Sequence, residues 1–118
     1  MTHVFKDIEL FATACDQPAS PENYKMYLGL IDEEYGELVD AVMADDKVEQ
    51  LDALVDILVV TMGAIRAAGW DGEAAWVEVM KTNFAKIDFE TGKVRKREDG
   101  KVLKPEGWTA PELSQFVK

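Results

Sequence analysis

Apolar residues recur at helical spacing through most of the chain, and this pattern predicts four α-helices. Ser20 is a suitable N-cap for the second helix because Pro21 follows it, and Gly69 is a suitable C-cap for the third. The predicted helices cover, in chain order, about His3 to Asp16, Pro21 to Ala44, Val48 to Ala68 and Gly72 to Ile87.

The pattern changes after the fourth helix, where the sequence becomes basic and alternating. Residues 91–104 contain an Asp-Gly pair, which predicts a small β-hairpin or a structured loop. A short closing helix is predicted for residues 111–117. We therefore expect an all-α, four-helix bundle with a small C-terminal hairpin or loop. We expect a single domain over residues 1–118, with a helical core of about 3–88 and a basic tail of about 89–118.

The third predicted helix is apolar nearly all the way round. Between Leu51 and Ile65 only Asp52, Asp56 and Thr61 are polar. A helix of this kind is usually buried on several sides, and four short helices supply limited cover. We therefore expect a homodimer or homotetramer in which another copy contributes a second helical layer.

The charge of the chain is strongly negative and unevenly placed. The formal net charge is −10, and ten of the 23 acidic residues lie between Asp32 and Asp56. This balance argues against nucleic acid or an anionic membrane surface as a partner. It leaves room for a small anionic ligand that binds together with a metal ion.

The sequence also indicates a compartment. The N-terminal segment is charged and amphipathic, without a signal-peptide pattern, and no apolar run is long enough to span a bilayer. Cys15 is the single cysteine, so no intrachain disulfide can form, and we expect a small buried side chain on the first helix. These features predict a reduced, cytoplasmic setting.

Acidic side chains line the second and third helices at helical spacing. On the second helix, Glu33 and Glu37 share a narrow arc, while Glu34 is displaced toward the apolar face. On the third helix, the acidic arc consists of Glu49, Asp52 and Asp56. Antiparallel packing of the two helices would bring the arcs together as an oxygen-rich cage of about four to six carboxylates.

Salt bridges do not account for these carboxylates. Lys47 is the only cation between Met26 and Ile65, and burial of unpaired carboxylates is costly. A hard divalent cation, Mg²⁺ with Mn²⁺ as a substitute, would offset that cost. Solvated surface acids remain a competing interpretation for Glu33 and Glu49. They do not explain Glu34, Glu37, Asp52 and Asp56.

Other common site chemistries lack their residues. His3 is the only histidine, so neither a zinc site nor a serine or cysteine nucleophile with a histidine base can be assembled. The sequence also contains no glycine-rich phosphate loop of the Walker type.

The motif Glu33-Glu34-x-x-Glu37, followed by acids on the next helix, resembles the MazG-like all-α nucleoside triphosphate pyrophosphohydrolases. That superfamily includes dimeric dUTPases and phosphoribosyl-ATP pyrophosphohydrolases, and its second motif is Glu-x-x-Asp. Glu49-x-x-Asp52 matches that motif literally. Asp56, followed by Ile-Leu-Val, matches the surroundings of the second-motif aspartate better, so both registers stay open.

The resemblance continues beyond the acidic helices. Asn83 and Lys86 are similar to an Asn-x-x-Lys segment that contacts substrate phosphates or sugar in many members. The basic tail is similar to that of a phage and bacterial subgroup, which implies substrate contacts for Lys93, Lys101 and Lys104. Without the resemblance, a capping amide and solvated lysines explain these positions equally well.

The resemblance implies Mg²⁺-dependent hydrolysis of a nucleoside triphosphate to the monophosphate and pyrophosphate, with a leaning toward deoxypurine substrates. Glu34, Glu37, Glu49, Asp52 and Asp56 would bind metal, with Glu33, Glu34 and Glu37 as the catalytic carboxylates. Among these, Glu33 would activate the water. The alternatives are a phosphoribosyl-ATP pyrophosphohydrolase or dUTPase on the same scaffold, or a metal-binding helical interaction module without turnover.

Overall fold

The structure, a computed structural model, describes residues 4–117 and divides the chain into two units, Met1–Gly72 and Glu73–Lys118. The first unit contains the helices α1 (Val4–Ala14), α2 (Pro21–Met43) and α3 (Lys47–Ala67). A fourth helix starts at the last residue of the first unit and forms the beginning of the second. The remaining elements are α4 (Gly72–Phe84), the strands β1 (Ile87–Asp88) and β2 (Lys93–Val94), and a 3₁₀ helix (Ser114–Phe116).

The predicted all-α class is confirmed, and the differences lie at the ends of elements. Helix α4 stops at Phe84 because Ile87 pairs with Val94 in the antiparallel β1–β2 hairpin. That hairpin begins upstream of the predicted segment. Strand β2 lies within the segment, which also contains a bridge between Lys96 and Val102. At the C-terminus a 3₁₀ helix of three residues replaces the predicted helix. His3, the predicted start of the first helix, lies outside the described residues.

Helices α2 and α3 pack antiparallel. At one end the Ser20 N–H donates to the Ala67 carbonyl (3.0 Å), and at the other the Gln50 amide donates to the Ala41 carbonyl (3.4 Å). The two pairings fix the register, because residues further along α2 meet residues earlier in α3. The turn between the two helices is short. Asp46 caps the start of α3, where its side chain accepts a hydrogen bond from the Glu49 N–H at 3.1 Å.

Arg66 ties the first helix and the following loop to α3. Its guanidinium forms a salt bridge with Glu9 on α1 and donates to the Gln17 carbonyl at 2.6 Å. Cys15, just beyond α1, is exposed, so the prediction of a buried cysteine was wrong. Helix α1 ends before Cys15, and the residue that this helix buries is Ala12, one turn earlier.

The first unit leaves much of its apolar surface uncovered. Large side chains along the outside of α2 and α3 are exposed, among them Met43 (82%), Val48 (77%), Leu51 (65%) and Leu58 (60%). The buried non-glycine side chains among residues 4–117 are small: Ala12, Ala41, Ala53, Val60, Ala64, Ala67 and Thr82. A single copy therefore does not bury the apolar face that the sequence predicts for α3.

None of the helices within residues 4–117 is long and apolar enough to cross a membrane.

The contact between α2 and α3 predicts opposite effects for two glycine substitutions. A Cβ atom at Gly63 would overlap the ring of Tyr27, which cannot move away freely because its hydroxyl donates to Gln17 at 2.6 Å. Overpacking of this kind costs about 1–3 kcal/mol, so we expect Gly63→Ala to lower the free energy of unfolding by that amount. Chemical denaturation measures the change.

Gly29→Ala is the matched control, because Gly29 lies within α2 and nothing stands within 4 Å of its added Cβ. The better helix propensity of alanine should raise stability by about 0.5–1 kcal/mol. Equal effects of the two substitutions would show that α2 and α3 do not approach each other closely at Gly63.

Candidate active site

The antiparallel register of α2 and α3 places Glu34 opposite Asp56. The contact of Tyr27 with Gly63 lies toward one end of the pair, and the bond between Ala41 and Gln50 lies toward the other. Glu34 and Asp56 fall midway between these contacts on their respective helices. Both are half-buried, whereas most other acids of the two helices are exposed.

Glu34 is held in an unfavourable electrostatic environment. Its Oε2 atom is buried and has no hydrogen-bond partner among the described residues. When protonated, the carboxyl donates to Glu37, and this hydrogen bond is the largest cause that raises the pKa of Glu34 to about 7. Burial and the negative charges of Glu37, Asp56 and Glu33 raise this pKa further. The site therefore favours a proton or another cation at Glu34.

The predicted carboxylates differ in their exposure and in their distance along the helices from Glu34. Glu33 and Glu37 are exposed beside Glu34, and Asp56 is the residue of α3 whose charge acts on Glu34. Asp52 and Glu49 lie one and two turns before Asp56 on α3, on the same face, and both are exposed. Their assignment as metal ligands stays a prediction.

The donor set fits a hard cation that is only partly held by protein. Within residues 4–117, no three Asp, Glu, His or Cys side chains converge as a ready coordination shell. Mg²⁺ does not need one, because it keeps several waters and binds through one or two carboxylates together with substrate phosphates. The orphaned oxygen of Glu34, with Glu37 and Asp56 close by, provides ligands of this type.

No protein cation neutralises these carboxylates in the part of the chain that the structure describes. The ion pairs there are Arg66 with Glu9 and Arg97 with Asp99. Salt bridges within the described residues therefore do not account for the acids of α2 and α3.

The second unit contains the residues predicted to contact substrate. Lys86 lies just after α4, where its ammonium donates to the Asn83 Oδ1 atom at 3.1 Å. The same ammonium lies 5.0 Å from the centre of the Trp108 ring, and the Lys104 ammonium lies 4.9 Å from it. Three of the predicted residues, Asn83, Lys86 and Lys104, are thus gathered around one tryptophan.

Lys93 and Lys101 are placed differently. Both are exposed and lie in turns, where the Lys93 N–H donates to Thr91 and the Lys101 N–H donates to Asp99. Neither ammonium group forms an ion pair with a residue of the described chain. Their role in substrate binding stays a prediction.

A cavity of about 760 Å³ lies within the second unit. Trp108 and Lys86 line it together with two further cations, Lys81 and Arg95. The sequence pattern did not indicate the contact of Trp108 with the lysines. Only a folded tail shows this contact, because Trp108 is 22 residues away from Lys86 along the chain.

Comparison with protein-family profiles matches residues 9–83 to the family described as phosphoribosyl-ATP pyrophosphohydrolase. The match covers more than half of the chain and includes the acidic residues of α2 and α3, so the chain belongs to this family. The family is part of the MazG-like all-α superfamily. The protein is therefore a hydrolase that acts on nucleotide pyrophosphate bonds. No curated protein matches the chain significantly.

The raised pKa of Glu34 predicts a pH-dependent effect of Glu34→Gln on the metal-free protein. The folded-state pKa is about 7, whereas an unperturbed glutamate titrates at about 4.3. Between these two pH values, Glu34 is protonated in the folded state and ionised in the unfolded state. The stability that this bound proton gives the folded state is lost as the pH rises through 7. We expect the gain in unfolding free energy from Glu34→Gln to increase between about pH 5 and pH 8.

Urea denaturation at several pH values in the presence of a chelator measures this difference. Asp32→Asn removes an exposed charge from the same helix, away from the groups that act on Glu34, and should show no such trend. A pH-independent effect of Glu34→Gln would contradict the unfavourable placement of its carboxylate.

Proposed function

We propose that the protein is a Mg²⁺-dependent nucleoside triphosphate pyrophosphohydrolase that produces a nucleoside monophosphate and pyrophosphate, with a leaning toward deoxypurine nucleotides. The observation that carries this proposal is the unneutralised carboxylate group at Glu34, Glu37 and Asp56 in a chain of a pyrophosphohydrolase family. These acids would hold Mg²⁺ together with a triphosphate, and the bound Mg²⁺ would offset the repulsion between the acids and the phosphates.

Glu34, Glu37 and Asp56 would hold the metal, with Glu49 and Asp52 able to contribute from the next turns of α3. Mn²⁺ offers the same preference for oxygen ligands and would substitute. A bound Mg²⁺ supplies Lewis-acid polarisation of the phosphate oxygens and a template for in-line attack at the α-phosphorus.

Glu33 is the carboxylate that we assign to the attacking water. It is exposed on α2 next to Glu34, and its negative charge contributes to the environment of that residue. An accessible carboxylate can accept the proton that the water loses during attack. Glu34 and Glu37 complete the set of catalytic carboxylates.

The cations of the second unit would hold the phosphates. Lys86 and Lys104 are candidates because their ammonium groups pair with no carboxylate of the described chain. Asn83 orients Lys86 through its side-chain oxygen. Lys93 and Lys101 would add longer-range attraction for the leaving pyrophosphate.

A second candidate substrate is phosphoribosyl-ATP, and the family match favours it. Hydrolysis would break the same α–β phosphoanhydride bond with the same carboxylates. The two candidates differ in the group attached to the purine, so the shape of the base pocket would discriminate between them.

We further propose that the two units act as a single domain and that the protein works as a homodimer or homotetramer. The family match runs from residue 9 to residue 83 and so includes parts of both units. The exposed apolar side chains of α2 and α3 support an assembly, since a monomer would leave this face in water.

The catalytic assignment predicts the activities of two amide variants. Glu37→Gln and Asp56→Asn each remove a proposed ligand with little change of shape. We expect each to lower the rate of pyrophosphate release at least about 100-fold at saturating Mg²⁺, as loss of major transition-state stabilisation does. A panel of nucleoside triphosphates, deoxynucleoside triphosphates and phosphoribosyl-ATP identifies the substrate in the same assay.

Asp32→Asn is the control because it removes an exposed carboxylate from α2 next to the motif. It should retain most of the activity. Near-normal turnover by both Glu37→Gln and Asp56→Asn would overturn the proposed site. Stabilisation by Mg²⁺ without consumption of any nucleotide in the panel would instead indicate a metal-binding module.

The proposed assembly predicts that a charge on the exposed face of α3 reduces the oligomer size. Leu58 is 60% exposed, and a carboxylate placed there would be buried without a partner in an interface. We expect Leu58→Asp to shift the protein toward monomer in light scattering after size-exclusion chromatography. Phe89→Asp is the control in the second unit, where the native side chain is 99% exposed. An unchanged assembly in Leu58→Asp would exclude this face from the interface.

A further inference from the structure

Trp108 closes the end of α4. Its indole N–H donates to the Thr82 carbonyl at 2.7 Å. In a continued helix that carbonyl would accept from the backbone N–H of Lys86, but this N–H donates to the Asn83 carbonyl at 3.1 Å instead. The indole thus satisfies a carbonyl that the end of the helix leaves open. This bond fixes the plane and position of the ring.

The fixed ring gathers two positive charges. The ammonium groups of Lys86 and Lys104 lie 5.0 and 4.9 Å from its centre, so they are at most about 10 Å apart. Attraction to the aromatic ring offsets part of the repulsion between the two lysines. Neither pairs with a carboxylate of the described residues, although the chain carries a net charge of −10.

Lys86 is held more firmly than a surface lysine. Its side chain is half-buried, and its ammonium contacts Asn83 at 3.1 Å in addition to the ring. A free lysine loses rotamer entropy when it binds an anion, and a lysine already held in place loses less. The arrangement is therefore preorganised for an oxyanion.

The adjoining cavity has room for such a ligand. Lys86 and Trp108 line a space of about 760 Å³. Its lining contains three cations, which are Lys81, Lys86 and Arg95, and four acids. Glu78 and Asp88 accept backbone N–H groups at 3.4 and 2.8 Å, respectively, whereas Glu90 and Glu106 are exposed to solvent.

We propose that Trp108 is a positioning residue of a phosphate-binding site, in which its indole holds Lys86 and Lys104 as a pair that binds the pyrophosphate part of the substrate. The assignment of that phosphate to a substrate rests on the proposed function. Trp108 does not touch the reacting atoms; it acts through the two lysines.

Binding of inorganic pyrophosphate in the absence of divalent metal tests the site directly. We expect Trp108→Leu to weaken this binding about tenfold, because both cation–ring contacts are lost. Trp108→Phe retains an aromatic face and should bind more tightly than Trp108→Leu. Trp76→Phe is the matched control for loss of an indole N–H, since Trp76 lies on α4 and the cation–ring contacts of the two lysines are with Trp108.

A double-mutant cycle distinguishes positioning from general loss of structure. If Trp108 acts through the two lysines, adding Trp108→Leu to the variant with Lys86→Met and Lys104→Met should not weaken pyrophosphate binding further, because the pair on which it acts is already lost. In the hydrolysis assay Trp108→Leu should raise KM about tenfold with little change in kcat, as expected for lost ground-state binding. Unchanged pyrophosphate affinity in a folded Trp108→Leu variant would overturn the proposal.

If Trp108→Leu does not fold, the double variant Lys86→Met/Lys104→Met tests the proposal instead. It removes both ammonium groups and leaves the Trp108 ring and its hydrogen bond to Thr82 in place. Normal pyrophosphate binding by that variant would overturn the proposal. If the protein binds pyrophosphate in a Trp108-dependent way but hydrolyses no nucleotide, the proposed function is overturned and the anion-binding site is retained. Normal hydrolysis with binding independent of Trp108 would overturn this inference alone.

Discussion

The packing of α2 against α3 holds the carboxyl group of Glu34 beside Glu37 and opposite Asp56, and the site depends on this packing. An isolated helix would let the Glu34 carboxyl group turn toward water. The capped turn at Asp46 and the close contact at Gly63 prevent that, because they fix the register of the two helices. The repulsion among the acids is therefore maintained by favourable contacts elsewhere in the helical pair.

Positive charge is provided in a separate part of the chain. The described cations near Trp108 form no ion pairs with acids, and the acids around Glu34 have no cationic partners. Both sets of charges are left available for ligands of opposite sign. In the proposed function, the acids bind a metal ion and the lysines bind phosphate groups.

Local sequence signals predicted the helices well. The Ser20-Pro21 start of α2 and the ends of α3 agree with the structure to within about one residue, because capping residues act over a single turn. The end of α4 was predicted too late, since Ile87 continues the apolar pattern but pairs with Val94 in a strand. Cys15 was misplaced for a similar reason: helical spacing extends past the point where the chain turns away.

The sequence alone determined that acids would occupy apolar helices with no nearby cation, and that Glu34 would lie at the edge of the apolar face. These conclusions follow from periodicity and composition. Only the tertiary structure decided that Asp56 is the residue of α3 that acts on Glu34, because register depends on contacts between helices. It also decided that Trp108 gathers Lys86 and Lys104, since contacts between residues distant in the chain leave no periodic trace in the sequence.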